Sequence, residues 1–119
     1  MQGDGEVNGT AIEASLSATL QFVIHKDAGK TMRWPRAEDA ANYYTMGMDL
    51  NLDVAMREAT RETVEFLQQR FGLTPADAYA LASIAVDFRV AEAVDSTQVI
   101  YAAIPKKLFK SPPPYWATP

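Results

Sequence analysis

With 119 residues, 48% of them hydrophobic and 22% charged, the chain is long enough for one domain and has a composition that excludes wholesale disorder. A formal net charge of −4 argues against nucleic acid as a partner, because binding phosphates needs a basic surface. The absence of cysteine excludes disulfides and thiolate sites. Because the sequence has neither a signal-peptide pattern nor an apolar run long enough to span a membrane, we expect a cytoplasmic protein without a membrane partner.

The chain opens on an acidic, glycine-rich segment. Three glycines among residues 1–10 allow positive φ angles and a close approach to a ligand. Asp4 and Glu6 are two residues apart in a stretch expected to be extended, so both carboxylates would point to one side. There they could share a metal ion or divide acid and base roles, with Glu13 as a third carboxylate nearby. The alternative is a solvated amino terminus without a site.

A long strand is predicted next, because apolar and polar residues alternate over residues 15–25. Its apolar face comprises Leu16, Ala18, Leu20, Phe22 and Ile24. Residues 26–30 form the predicted turn, and shorter strands are expected at residues 31–34 and 42–48. His25, the only histidine, ends the polar face of the long strand, where a surface position is favoured over a role as base or ligand.

Two consecutive helices follow. Asn51 or Asp49 can cap the first, whose apolar residues recur every three or four positions until Gly72 closes it. The second begins with Thr74 as its cap and proline at the next position, and it is expected to end near Asp87.

The last third of the chain contains two more predicted strands, at residues 90–94 and 99–104. A proline-rich tail over residues 110–119 is expected to be extended. The sequence therefore predicts a single α+β domain over residues 1–119, with antiparallel or mixed strands and two consecutive helices.

A second candidate for chemistry lies where the second helix gives way to a strand. Asp87 at such a junction could face a site, and Arg89 could orient it or hold an anion. The alternative is an acid–base pair that fixes the helix end. Asp95 is a similar but weaker candidate. The sequence has no nucleophile elbow, P-loop or dinucleotide glycine signature.

Residues 2–13, Gln-Gly-Asp-Gly-Glu-Val-Asn-Gly-Thr-Ala-Ile-Glu, resemble a segment of the acetamidase/formamidase family. Further similarities to that family follow in order and cover nearly the whole chain. They lie at residues 47–57, 72–79, 83–95 and 104–109. The chain departs from the family pattern at Asn8, where cysteine is usual, and at Val86, where glycine is usual. The resemblance places the sequence in the carboxy-terminal part of the family fold, as a partial domain of a larger amidase.

The resemblance implies hydrolysis of a small aliphatic amide to a carboxylic acid and ammonia. Glu6 would then transfer protons, Asp4 would ligate or position, and Asp87 is the next site candidate. A divalent metal ion, zinc or calcium, would be held by Asp4 and Glu6.

Family members are longer and carry a Gly-Asp-x-His segment before the part that corresponds to residues 2–13. We therefore expect either an amino-terminal partner chain or a homo-oligomer, which would also cover the unpaired edges of the predicted strands. The alternative function is a non-catalytic module for oligomerisation or small-ligand binding.

Overall fold

The computed structural model describes residues 1–26 and 28–115, and within them four antiparallel strands form one sheet in the order β1-β2-β4-β3. The strands are β1 (Arg36–Glu38), β2 (Asn42–Asp49), β3 (Asp87–Glu92) and β4 (Gln98–Pro105). Between β2 and β3 come the helices α1 (Leu52–Phe71) and α2 (Pro75–Ala85). Helix α1 lies across one face of the sheet, and α2 packs beside it. The predicted α+β class, with antiparallel strands and two consecutive helices, is confirmed.

Strands β2 and β4 form the centre of the sheet and pair along their whole length, from Asn42 opposite Pro105 to Asp49 opposite Gln98. Tyr43, Thr45 and Gly47 of β2 are buried on the face of the sheet that packs against α1. At Gly47 the two backbones come so close that an added Cβ would lie 2.2 Å from the amide nitrogen of Ala59. This contact fixes the height of α1 above the sheet.

The core of the described residues falls into two clusters on the helix side of the sheet. The larger contains Tyr43, Phe66, Leu67 and Ile104, and the buried side chains that α2 contributes to it are alanines. The carboxy-terminal tail closes one end of this cluster, since the ring of Tyr115 lies 5.7 Å from that of Phe66. Residues 112–114 belong to no helix or strand, and the extended conformation of the tail stays a prediction, whereas residues 116–119 of the predicted tail lie outside the described residues.

The helix ends follow the sequence signals closely. The side chain of Asn51 accepts hydrogen bonds from the first turn of α1, and Gly72 ends that helix with φ = 67°. Thr74 caps α2 in the same way, but the helix stops at Ala85 instead of near residue 87. The next residue, Val86, has φ = −110°, an extended conformation that suits a β-branched side chain, so glycine is not required there.

The prediction of a long strand over residues 15–25 is wrong. None of its residues is in a helix or strand, and its apolar side chains are exposed, with Phe22 at 88%. A period-two pattern shows which side chains need burial, but a strand also needs a neighbour for its backbone groups. No described strand pairs with this segment.

The short strand predicted at residues 31–34 is also wrong, because β1 begins only after Pro35. Proline has no N–H to donate to a ladder, so pairing starts beyond it. The predicted turn contains a 3₁₀-helix at Ala28–Lys30, while Asp27 lies outside the described residues. Among the described helices, none is long and apolar enough to cross a membrane.

Candidate functional site

The amino-terminal segment is attached to the sheet by its backbone. The carbonyl oxygen of Gly5, a buried residue, accepts a hydrogen bond of 2.8 Å from the amide of Ala93, just beyond β3. Gly5 has φ = 98° and Glu6 has φ = 36°, so residues 3–6 turn back on themselves. The extended conformation predicted for Asp4 to Glu6 is therefore wrong, and the positive φ that glycine permits is the physical reason.

Asp4 lies over the sheet face that points away from the helices. Its Oδ2 accepts a hydrogen bond of 3.1 Å from the hydroxyl of Tyr101 and lies 3.6 Å from Nη1 of Arg89. Arg89 also reaches Asp87, with 3.4 Å between Nη2 and Oδ2. The guanidinium of Arg89 thus contacts the carboxylates of both Asp4 and Asp87. Its ion pair with Asp87 is the acid–base pair that the sequence offered as the alternative interpretation of Asp87.

The neighbours of Arg89 stabilise its charged form. The hydrogen bond with Tyr101 raises the pKa of Arg89, and the negative charge of Asp87 adds to this effect. Because the side chains of Asp4, Asp87 and Arg89 are all more than half exposed, these ion pairs contribute little to stability. The ion pairs with Arg89 instead orient the carboxylate of Asp4.

Glu6 lies beside Asp4 on a small cavity. Both residues line this cavity, which has a volume of about 240 Å³ and is otherwise bounded by neighbours in the same segment. Oε1 of Glu6 accepts a hydrogen bond of 2.8 Å from the side-chain amide of Gln2. The two acidic residues therefore border a space large enough for a few water molecules or a small organic molecule.

Further acids border Glu6. Burial raises the pKa of Glu92, and the nearby charges of Glu6 and Asp95 raise it further. Asp95, which follows β3, adopts φ = 61°. Nevertheless, within residues 1–26 and 28–115 no three His, Cys, Asp or Glu side chains are arranged to hold a metal ion. Asp4 and Glu6 would thus need donors from outside the described residues to complete a metal site.

The acids around Glu6 lead to a pH-dependent prediction. The folded-state pKa of Glu92 lies above the ordinary value of 4.5, so its ionised form at neutral pH opposes docking of the amino-terminal segment. We expect Glu92→Gln to raise the melting temperature at neutral pH. This gain should shrink as the pH falls through the raised pKa towards 4.5, because Glu92 then takes up a proton and is itself neutral.

Thermal unfolding followed by circular dichroism over this pH range tests the prediction. Glu13→Gln, which removes the same charge from an exposed position in the same segment, is the matched control and should leave the melting temperature nearly unchanged. A gain from Glu92→Gln that is equally large at acid pH would contradict the electrostatic explanation.

Sequence reasoning missed Tyr101 and Glu92. Tyr101 lies on β4 and points to the outer face, so the alternation of a strand predicted there contained a signal for it. Nothing local to Glu92 indicated proximity to Glu6, because the contact joins segments far apart in the chain. Of the other candidates, Glu13 does not line the cavity in the described part of the chain, and His25 is exposed.

Comparisons with known proteins agree with this architecture. The sequence profile of the Acetamidase/Formamidase family matches residues 1–111. A crystal structure of an acetamidase from Bacillus halodurans is similar with a TM-score of 0.62 and 24% identity, covering 67% of this chain and 27% of that one. An acetamidase from Yersinia enterocolitica is similar with a TM-score of 0.62 and 32% identity, covering 65% and 23%.

No curated protein matches the chain. The chain spans about a quarter of the length of the two solved acetamidases, so the fold described above corresponds to part of theirs. The family profile, by contrast, covers all but the last few residues of this chain, including the segment that carries Asp4 and Glu6. The chain therefore belongs to the acetamidase/formamidase family.

Proposed function

We propose that this chain is part of an amide hydrolase that converts a small aliphatic amide, such as formamide or acetamide, into a carboxylic acid and ammonia. The observation that carries the proposal is the position of Asp4 and Glu6 on one cavity, within a segment that matches the family. Family membership supports the reaction type, and the cavity of about 240 Å³ suits a substrate of a few heavy atoms.

In this proposal Glu6 is the general base. It accepts a proton from water as the water oxygen forms a bond to the amide carbon, and it returns the proton to the nitrogen as the C–N bond breaks. Asp4, oriented by Tyr101 and Arg89, positions the attacking water or the amide N–H. Asp87 acts indirectly, because it shares Arg89 with Asp4.

A divalent ion, zinc or calcium, remains part of the proposal only with ligands from outside this chain. Asp4 and Glu6 would supply two oxygen donors, and a bound metal would polarise the amide carbonyl. An amino-terminal partner chain would supply the remaining donors.

Exposed apolar residues at 15–25, with strand-like alternation, offer a place where such a partner could add a strand. We expect the assembly in the cytoplasm.

The second candidate function is a non-catalytic module for oligomerisation or small-ligand binding. The exposure of Asp4 and the lack of a metal-binding triad among the described residues favour it over activity of the chain alone. The two candidates differ in one measurable respect, since only the enzyme releases ammonia when the amino-terminal part of a longer relative is supplied.

Ammonia release from formamide and acetamide tests the proposed function. We would assay the chain alone and mixed with the amino-terminal part of the Bacillus halodurans acetamidase, of which this chain covers 27%. Activity is expected in the mixture, and Glu6→Gln should lower kcat about a hundredfold or more, as loss of a general base does.

Glu13→Gln is the matched control, because it changes the same functional group at an exposed position of the same segment. It should retain the activity of the unaltered mixture. Full activity of Glu6→Gln would disprove the role of Glu6. A mixture that forms a complex but releases no ammonia would favour the non-catalytic module.

A further inference from the structure

The carboxy-terminal tail returns to the helices after β4 and is anchored by two aromatic rings. Phe109 stacks on Phe71, with 3.6 Å between the ring centres. Tyr115 lies with its ring centre 5.7 Å from that of Phe66. The prolines between the two anchors belong to no helix or strand, and two of the three are exposed. Docking of the last described part of the tail therefore depends mainly on Tyr115.

The ring of Tyr115 occupies a site formed by Met32, Arg36, Phe66 and Arg70, which we call the Tyr115 socket. The guanidinium carbons of Arg36 and Arg70 lie 5.9 and 6.0 Å from the centre of the tyrosine ring. Nη1 of Arg36 donates to the tyrosine hydroxyl at 3.2 Å, and this hydroxyl donates to the sulfur of Met32 at 3.8 Å. Because cations are attracted to the face of an aromatic ring, the socket favours an aromatic side chain that carries a hydroxyl group.

The backbone of the tail is bound together with its ring. The carbonyl oxygen of Pro113 accepts a hydrogen bond from the hydroxyl of Tyr43, and that of Pro114 accepts one from the guanidinium of Arg70. Proline restricts φ, so this segment loses less conformational entropy on docking than a flexible one would. Main-chain hydrogen bonds combined with one anchoring side chain are typical of sites that bind an extended peptide.

The Tyr115 socket includes the stretch through which the amino-terminal half of the chain joins the sheet. Strand β1 is three residues long and lies at the sheet edge, so its ladder alone holds it weakly. Tyr115 contacts Arg36 at the start of β1, and its amide donates to Oε1 of Glu38 at the end, at 2.7 Å. Residues 10–25, which belong to no helix or strand, precede this stretch. Tyr115 thus helps to hold the point where they are attached.

We propose that residues 109–115 form a latch: docking of Tyr115 in its socket fixes residues 31–38 against α1, and its release frees them. Few contacts oppose release, because Tyr115 is only half-buried and the prolines before it are in no regular structure. The short tether from Phe109 keeps the ring at a high effective concentration and favours rebinding. The latch thereby sets the direction in which residues 10–25 leave the domain, independently of amide hydrolysis.

Hydrogen–deuterium exchange followed by mass spectrometry tests the latch. Tyr115→Ala should speed exchange in residues 31–38 by about tenfold or more and leave exchange in α2 unchanged. Tyr115→Phe keeps the ring and should speed it by less than about threefold. Tyr79→Ala is the matched control, because it removes the same side chain from a position on α2 that is 63% exposed. It should leave residues 31–38 at the parent rate.

A peptide of residues 111–115, acetylated and amidated at its ends, tests the socket directly. At millimolar concentration it should bind the Tyr115→Ala chain and return exchange in residues 31–38 to the parent rate, because it supplies the missing ring. The parent chain should bind the peptide at least about tenfold more weakly, since its own tail fills the socket. The same peptide carrying Tyr115→Ala should bind neither chain.

Several results would overturn the latch. One is exchange in residues 31–38 that Tyr115→Ala leaves unchanged. Another is an equal rise over the whole described domain, because Tyr115 would then be a general part of the core. Failure of the peptide to bind the Tyr115→Ala chain, or equal binding to both chains, would refute the socket as the docking site of the tail.

Discussion

Gly47→Ala is expected to destabilise the fold by about 3 kcal/mol or more, at or beyond the upper end for overpacked cores. The added Cβ would lie 2.2 Å from the amide nitrogen of Ala59 and 2.3 Å from the carbonyl oxygen of Ala55. Both are backbone atoms of α1, so no side-chain rotation can relieve the overlap. Either α1 must move away from β2, which opens the core around it, or the strand must bend.

Urea denaturation followed by circular dichroism measures this effect. Gly9→Ala is the matched control, because an added Cβ there meets no atom within 4 Å, and it should change the free energy of unfolding by less than about 0.5 kcal/mol. A Gly47→Ala variant as stable as the parent would show that the helix and the sheet are not held at the distance described here.

Arg36→Met is expected to cost about 3–5 kcal/mol, the range seen when one partner of a buried ion pair is removed. Nη2 of Arg36 lies 3.1 Å from Oε2 of Glu62, and the two side chains are only 4% and 5% exposed. The guanidinium also donates to the hydroxyl of Tyr115 and stacks 5.6 Å from the ring centre of Phe66. Its loss would leave the carboxylate of Glu62 buried without its cation and would remove one of the contacts that hold Tyr115 of the carboxy-terminal tail.

Two further variants separate the charge effect from lost packing. Arg33→Met breaks a pair with Glu58 in which the arginine is 64% exposed, and it should cost less than about 1 kcal/mol. The double variant Arg36→Met/Glu62→Met removes both buried charges and should recover much of the stability lost by Arg36→Met. If the double variant is as unstable as the single one, the unpaired carboxylate is not the cause.

Much of the fold was predictable because its signals are local. Asn51, Gly72 and Thr74 act within one helical turn, so the helix boundaries followed from residue type and spacing. The aromatic and β-favouring residues of β2 were an equally local signal. Residues 15–25 show the limit of this kind of evidence. Their apolar and polar residues alternate clearly, yet no described strand is present to pair with them.

The candidate site was likewise predictable only in part. The segments at residues 2–13 and 83–95 that resemble the family predicted Asp4, Glu6 and Asp87, and their roles in amide hydrolysis stay a prediction. What surrounds them depended on the fold, because Tyr101 and Arg89 reach Asp4 only once β3 and β4 pair beside the amino-terminal turn. The proximity of Glu92 to Glu6 likewise follows from attachment of Gly5 to Ala93.

The sequence by itself determined the family, the two helices with their caps, and the central strands, because each depends on residue types at short spacing. Only the tertiary structure decided how close Gly47 lies to α1, which cation is buried beside Glu62, and that residues 3–6 form a turn instead of a strand. These features depend on contacts between residues distant in the chain. Such contacts are fixed when the sheet and helices pack together, and no local pattern encodes them.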